Sequence, residues 1–165
     1  MRNPLLIVCL VFLAIFVLGS GQPVVRVEAT DLVGPRSLEK PTEAAVIRDY
    51  LEAWRSLSGA LDENRPDLLD RNFVGVAKEK LAGTVGQQAA LGIQTRYRDG
   101  THDLRVVFYS PEGLSIQLID TVEYDLQILD HAKVQTTQHV LARYIAVLTP
   151  TEERWKVRVF QAAPE

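Results

Sequence analysis

Residues 101–128 read THDLRVVFYSPEGLSIQLIDTVEYDLQI, and their period decides the fold. His102, Leu104, Val106 and Phe108 share one parity, as do Leu114, Ile116, Leu118, Asp120, Val122, Tyr124, Leu126 and Ile128. That is the two-residue repeat of strands with one face turned to a core, and it predicts strands over His102–Tyr109 and from Leu114 toward Ile128. Between them, Ser110-Pro111-Glu112-Gly113 places Pro at the first central position and Gly at a left-handed one, which predicts a type I turn with a glycine bulge. The turn sets Ser110 against Leu114, Val106 against Leu118 and Leu104 against Asp120, keeping apolar residues on one face. A third strand, Val134–Leu148, is expected after Asp130-His131-Ala132-Lys133, and a fourth, Trp155–Gln161, after Thr149-Pro150-Thr151-Glu152-Glu153.

Upstream the period is helical. Val46, Ile47, Tyr50, Leu51, Trp54, Leu57 and Leu61 recur at three- and four-residue steps, which predicts an amphipathic helix. Thr42 is its expected N-cap, Glu43 puts a carboxylate in the first turn, and Asp62-Glu63-Asn64 ends it. Pro66 opens a short second helix, Asp67–Asn72, with Leu68, Leu69 and Phe73 toward the core. After Gly75 a third helix, Val76–Ile93, is expected, weakened by Gly83 and Gly86 at about 1 kcal/mol each. Helices followed by strands predict an α+β domain, with N-terminal helices packed on a curved, four-stranded antiparallel sheet.

The chain has 165 residues, 47% of them hydrophobic, and a net charge of -3. This fits one globular domain and offers no basic field for nucleic acid. Met1-Arg2-Asn3-Pro4 precedes an unbroken apolar run, Leu5–Leu18, followed by Gly19-Ser20-Gly21-Gln22-Pro23. Residues 1–23 are therefore read as a signal peptide or a transmembrane anchor. The residues before the cleavable positions depart from the A-x-A pattern, and both readings stay open. Either one places the remainder outside the cytoplasm, as a membrane-held domain or a secreted or periplasmic one, because Arg2 and the α-amino group stay inside. Residues 24–41, with Gly34, Pro35 and Pro41, are read as a linker, and 42–165 as the domain. The single cysteine, Cys9, lies in the apolar run, so the domain has no thiol for a disulfide, a nucleophile or a metal ligand.

The helix bearing Tyr50, Leu51 and Trp54, the short helix with Leu68, Leu69 and Phe73, the long strands and the final strand opening on Arg154-Trp155-Lys156-Val157 together resemble the nuclear transport factor two-like, or SnoaL-like, cone fold. The resemblance covers about Thr42–Gln161. It implies a cystatin-like cone, and it implies no single function: the superfamily holds isomerases, dehydratases, cyclases, binding domains and assembly scaffolds. An apolar N-terminal segment before such a domain is also similar in architecture to inner-membrane scaffold subunits of bacterial secretion systems.

Asp120 is the one carboxylate among the apolar residues of its strand face, and a desolvated carboxylate there is equipped for general acid–base work. His102 is a neighbour on that face, and Tyr144 joins it if Ile128 pairs with Val134. Asp120, His102 and Tyr144 form the candidate catalytic set. The competing reading has Asp120 satisfied structurally, by backbone or by His102 at a wet end of the sheet, or rotated out of the face by a bulge. On the catalytic reading, Asp120→Asn leaves the fold intact and abolishes turnover. Tyr50, Trp54, Tyr124 and Trp155 are the candidate walls of a pocket for a small apolar ligand. The three histidines show no zinc-binding spacing, the glycines form no phosphate cradle and no G-x-S-x-G elbow is present, so neither cofactor nor metal is expected. Ile119, Leu141, Ile145, Val147 and Phe160 lie on the opposite parity and suggest a homodimer or protein-partner surface. These readings converge on an extracytoplasmic binding or assembly module, with a small-molecule acid–base enzyme of isomerase or hydrolase type around Asp120 as the alternative.

Overall fold

A computed structural model describes residues 23–28 and 36–163. The sequence of elements is β1 (Val24–Val27), α1 (Lys40–Glu63), a short 3-10 helix (Pro66–Leu69), α2 (Gly75–Ala90), β2 (Ile93–Tyr109), β3 (Ile116–Asp130), β4 (Lys133–Pro150) and β5 (Trp155–Ala162). Strands β2 to β5 form the expected antiparallel meander, and the sheet order is β1-β2-β3-β4-β5.

The sheet is larger and mixed where four antiparallel strands were expected. Within the stretch read as a linker, β1 pairs in parallel with β2, Val24 opposite Thr101 and Val27 opposite Leu104. Four residues are too few to show a period, which is why no strand is legible there. At the far edge, Phe73 makes an isolated parallel bridge with Val157. There the Val157 N–H donates to Asn72 O at 2.8 Å and the Val74 N–H to Val157 O at 2.9 Å.

The first helix starts at Lys40 rather than after Thr42, with Pro41 in its first turn, where its missing N–H costs nothing. It ends as expected: Asn64 takes a left-handed conformation at φ 54°, and the Arg65 N–H reaches back to Ala60 O at 2.9 Å, a Schellman-type stop. Val46, Tyr50, Ala53, Trp54, Leu57, Ala60 and Leu61 are its buried stripe. The second long helix stops at Ala90. Ile93 already belongs to β2, where Ile93, Thr95 and Tyr97 alternate with polar Gln94 and Arg96.

Bulges bend the long strands around α1 and correct two expected registers and the expected facing of Phe160. In β2 the bulge between Val106 and Phe108 moves Tyr109 opposite Ile116, so Ser110 donates its N–H to Ser115 O and Leu114 stands 60% exposed in the turn. In β4 the turn sets Leu129, not Ile128, opposite Val134, and an extra residue, Gln135, then leaves Ile128 opposite Thr136, so that Asp120 falls directly opposite Tyr144. In β5 an extra residue, Arg158, lies between the pairs Leu148–Val157 and Val147–Val159. This reverses the parity of Phe160, which packs inward against Trp54, Phe73 and Tyr144. Phe160 is therefore not part of an outer apolar face. On that face Ile119, Ile145 and Val147 are half-buried, and Leu141 is 71% exposed.

Candidate functional site

Asp120 lies in the middle of β3, pointing inward between Leu118 and Val122, and has 0% exposure. Its Oδ2 is the meeting point of three side chains. Trp54 Nε1–H donates at 3.1 Å, Tyr50 Oη–H donates at 2.9 Å, and His102 Nδ1 lies at 2.8 Å. An ionised carboxylate only accepts, so with Asp120 charged His102 presents an Nδ1–H to it. Burial, followed by the negative charge of Asp120, pushes the Tyr50 phenol well above its ordinary value and keeps it a donor. Asp120 Oδ1 has no hydrogen-bond partner among the described residues.

The local sequence produces this meeting. Tyr50 and Trp54 are four apart on α1, hence one above the other on the same face. His102 reaches the site because it shares inward parity with Leu104, the residue opposite Asp120. Tyr144 is opposite Asp120 in β4, but its hydroxyl pairs with that of Tyr124 at 3.3 Å. Of the three candidate catalytic residues, then, Asp120 and His102 are hydrogen-bonded and Tyr144 stands apart from the carboxylate.

The Trp54 indole fills the centre of the cone. Ring centroids of His102, Tyr144, Phe160, Tyr97 and Tyr124 lie 5.2, 5.4, 5.4, 5.9 and 6.2 Å from it, and edge-on pairs of this kind add about 0.5–1.5 kcal/mol each beyond burial. Two pockets open beside this aromatic cluster, the first of them against the indole itself. One, of about 190 Å³, is lined by Leu51, Trp54, Arg55, Tyr97, Arg98, Gly100, His102 and Tyr124, with Pro23, Ser58 and Val122 completing it. The other, of about 350 Å³, lies toward α2 between Leu81, Gln88, Tyr97, Tyr124, Tyr144 and Phe160. Asp120 lines neither.

Of the four expected pocket walls, Trp54 and Tyr124 line the first pocket. Tyr50 is fully buried with its hydroxyl on Asp120 and lines neither pocket. Trp155 lies elsewhere, at the start of β5: its ring centroid is 6.4 Å from that of Tyr109, and its backbone N–H donates to the buried Asp49 at 2.9 Å. Burial pushes the Tyr97 and Tyr124 phenols up, so both are protonated hydroxyls at neutral pH. Tyr97, Arg98 and Arg55 were not anticipated in the wall. The alternation of Ile93, Thr95 and Tyr97 was the signal available for the first; the two arginines carried none. Among the described residues no group of three or more His, Cys, Asp or Glu side chains is placed to hold a metal ion. Among them, too, no helix is long and apolar enough to cross a membrane; the run Leu5–Leu18 lies outside the described residues.

No family model and no curated protein matches the chain. Among solved structures, the intermembrane space region of the chloroplast protein ARC6 is similar at 14% identity, over 79% of this chain and all of that one, with a TM-score of 0.63. A structure from Novosphingobium aromaticivorans described as a candidate scytalone dehydratase is similar at 13% identity, over 76% of this chain and 89% of that one, with a TM-score of 0.47. At such identities the ARC6 likeness speaks for fold: the chain is an α+β domain with helices laid on a long curved sheet.

Proposed function

We propose that this chain is a binding module held on the extracytoplasmic side of a membrane by Leu5–Leu18, with Asp120 as a structural hub. The observation that carries this reading is the Trp54 indole seated on Asp120: Trp54 and His102, both bonded to the carboxylate, line the first pocket, while Asp120 itself lines neither that pocket nor the one toward α2. A carboxylate that meets three side chains and lines no pocket serves to fix those side chains, whereas a catalytic base has to reach the proton it removes. What remains open beside Trp54 is a small aromatic-walled recess, the usual form of a ligand site. The apolar run behind Arg2 supports the tether and its orientation.

The test is a thermal-shift panel on the detergent-solubilised full chain, with small ring compounds of neutral, cationic and anionic character. Saturable stabilisation by at least one, with the compound recovered unchanged, is expected. No stabilisation by any, or consumption of a compound that stops in Asp120→Asn, overturns the reading.

A second reading rests on His102, which lines the first pocket while its Nδ1 lies on Asp120. In that pairing the carboxylate orients the ring, and Nε2 acts as a general base on a bound molecule. Turnover that His102→Gln removes while ligand binding persists is the result that selects it.

A further inference from the structure

The first pocket combines a ring-sized apolar recess with two cations. Trp54, Tyr97, Tyr124, Leu51 and Val122 supply its apolar walls, and among the described residues Arg55 and Arg98 are its only formally charged lining residues besides the titratable His102. This is unexpected in a chain of net charge -3. Arg55 is half compensated by an ion pair with Glu52, one turn earlier on α1. The Arg98 guanidinium has no hydrogen-bond or ion-pair partner among the described residues. Arg98 stands in the irregular segment of β2 between Arg98 and Thr101, beside Gly100, where the absence of a side chain keeps the recess open. A Cβ at Gly100 would lie 3.8 Å from His102 Nε2.

Size narrows the ligand further. An engineered apolar cavity of about 150 Å³ holds benzene, so about 190 Å³ holds one six-membered ring with a small substituent and no more. Guanidinium groups bind carboxylates through paired hydrogen bonds of fixed geometry. An aromatic wall takes the face or edge of a ring.

We infer that the pocket beside Trp54 takes a small ring-bearing carboxylic acid, its ring among Trp54, Tyr97 and Tyr124 and its carboxylate at Arg98 and Arg55. The inference rests on the binding-module reading and names the ligand class for that site. Arg98 carries most of the discrimination, because Arg55 already shares its charge with Glu52.

The experiment measures binding of benzoate, benzamide and benzylamine to the detergent-solubilised full chain by calorimetry at low salt. Benzoate is expected to bind at least about tenfold more tightly than benzamide, the scale of one charged hydrogen bond, and benzylamine not to bind. Arg98→Gln should remove the benzoate preference and leave benzamide binding in place, while Arg98→Lys restores part of it. Gly100→Val should abolish binding of both by filling the recess. Both arginines are exposed, so unchanged melting of the unliganded variants verifies that the fold is intact. Equal binding of benzoate and benzamide, with Arg98→Gln without effect, overturns the acid inference while leaving a binding module. If none of the three compounds binds, the acid inference falls with the pocket, and the wider panel above then decides the module reading.

Discussion

Asp120→Asn separates a structural hub from a catalytic residue, and its cost follows from the contacts. Tyr50, Trp54 and His102 all meet Oδ2 inside the core. A hydrogen bond to a charged group contributes about 1.5–3 kcal/mol and a neutral one about 0.5–1.5, so neutralising the acceptor loses about 1 kcal/mol at each of three bonds. Relief from burying a charge returns part of that. The amide also places an N–H₂ where Oδ1 now has no partner, adding a buried donor. The net expectation is a loss of about 2 kcal/mol. Urea denaturation followed by tryptophan fluorescence should show the midpoint falling by about 1 M at unchanged slope, given slopes of about 1–3 kcal/mol/M for domains of this size. Asp120→Ala orphans all three groups at about 1–3 kcal/mol each. That approaches the whole stability of a domain, about 5–15 kcal/mol, so this variant should not fold stably. An Asp120→Asn unfolding free energy within about 0.5 kcal/mol of the parent refutes the reasoning, and it is also what the catalytic reading expects.

Other outcomes follow from the same coordinates. The β3–β4 turn holds His131 and Ala132 at φ 47° and 61°, a conformation that costs a non-glycine residue about 1–2 kcal/mol; Ala132→Gly should raise stability by about 0.5–1 kcal/mol in the same urea assay, and a loss would show that the turn is not of this form. Deleting residues 1–35 strips β1 from Thr101–Leu104 and bares a sheet edge, so sedimentation should show concentration-dependent self-association, where a monomer at all concentrations contradicts that pairing. The Asp125 carboxylate, 3.0 Å from His139 Nδ1, with Glu123 at 3.0 Å from Nε2, holds His139 above its ordinary value. Its folded-state affinity for the proton is the higher one, so this contact favours folding below the ordinary histidine range and is lost as pH rises through the raised value. An NMR titration should place His139 higher than a free histidine, and Asp125→Asn should bring it down; an unmoved midpoint refutes the contact.

The elements were legible wherever long periodic runs carried them. The stripe Val46–Leu61, the alternation Leu104–Tyr124 and the polar turns between strands led to α1, the meander and the meeting of Asp120 with His102. What could not be read came from single inserted residues. Gln135 and Arg158 each shift a strand by one, which brought Tyr144 opposite Asp120 and turned Phe160 inward; a bulge leaves no compositional mark. Nor does periodicity distinguish a carboxylate facing a pocket from one sealed beneath a tryptophan, because that depends on the rotamer of Trp54. The edge strand Val24–Val27 escaped notice because its partner, Thr101–Leu104, is distant in the chain.

The central claim, that Trp54 seals Asp120 inside the cone, is tested most directly by hydrogen exchange of the indole N–H groups in the ¹⁵N-labelled full chain. The chain has two tryptophans, so Trp155, half-buried at the start of β5, is the internal reference. The account predicts that the Trp54 indole proton is protected to nearly the extent of the slowest core amides, opening only when the domain unfolds, while that of Trp155 exchanges far faster. Equal, fast exchange at both indoles would contradict it, placing Asp120 within reach of solvent and substrate.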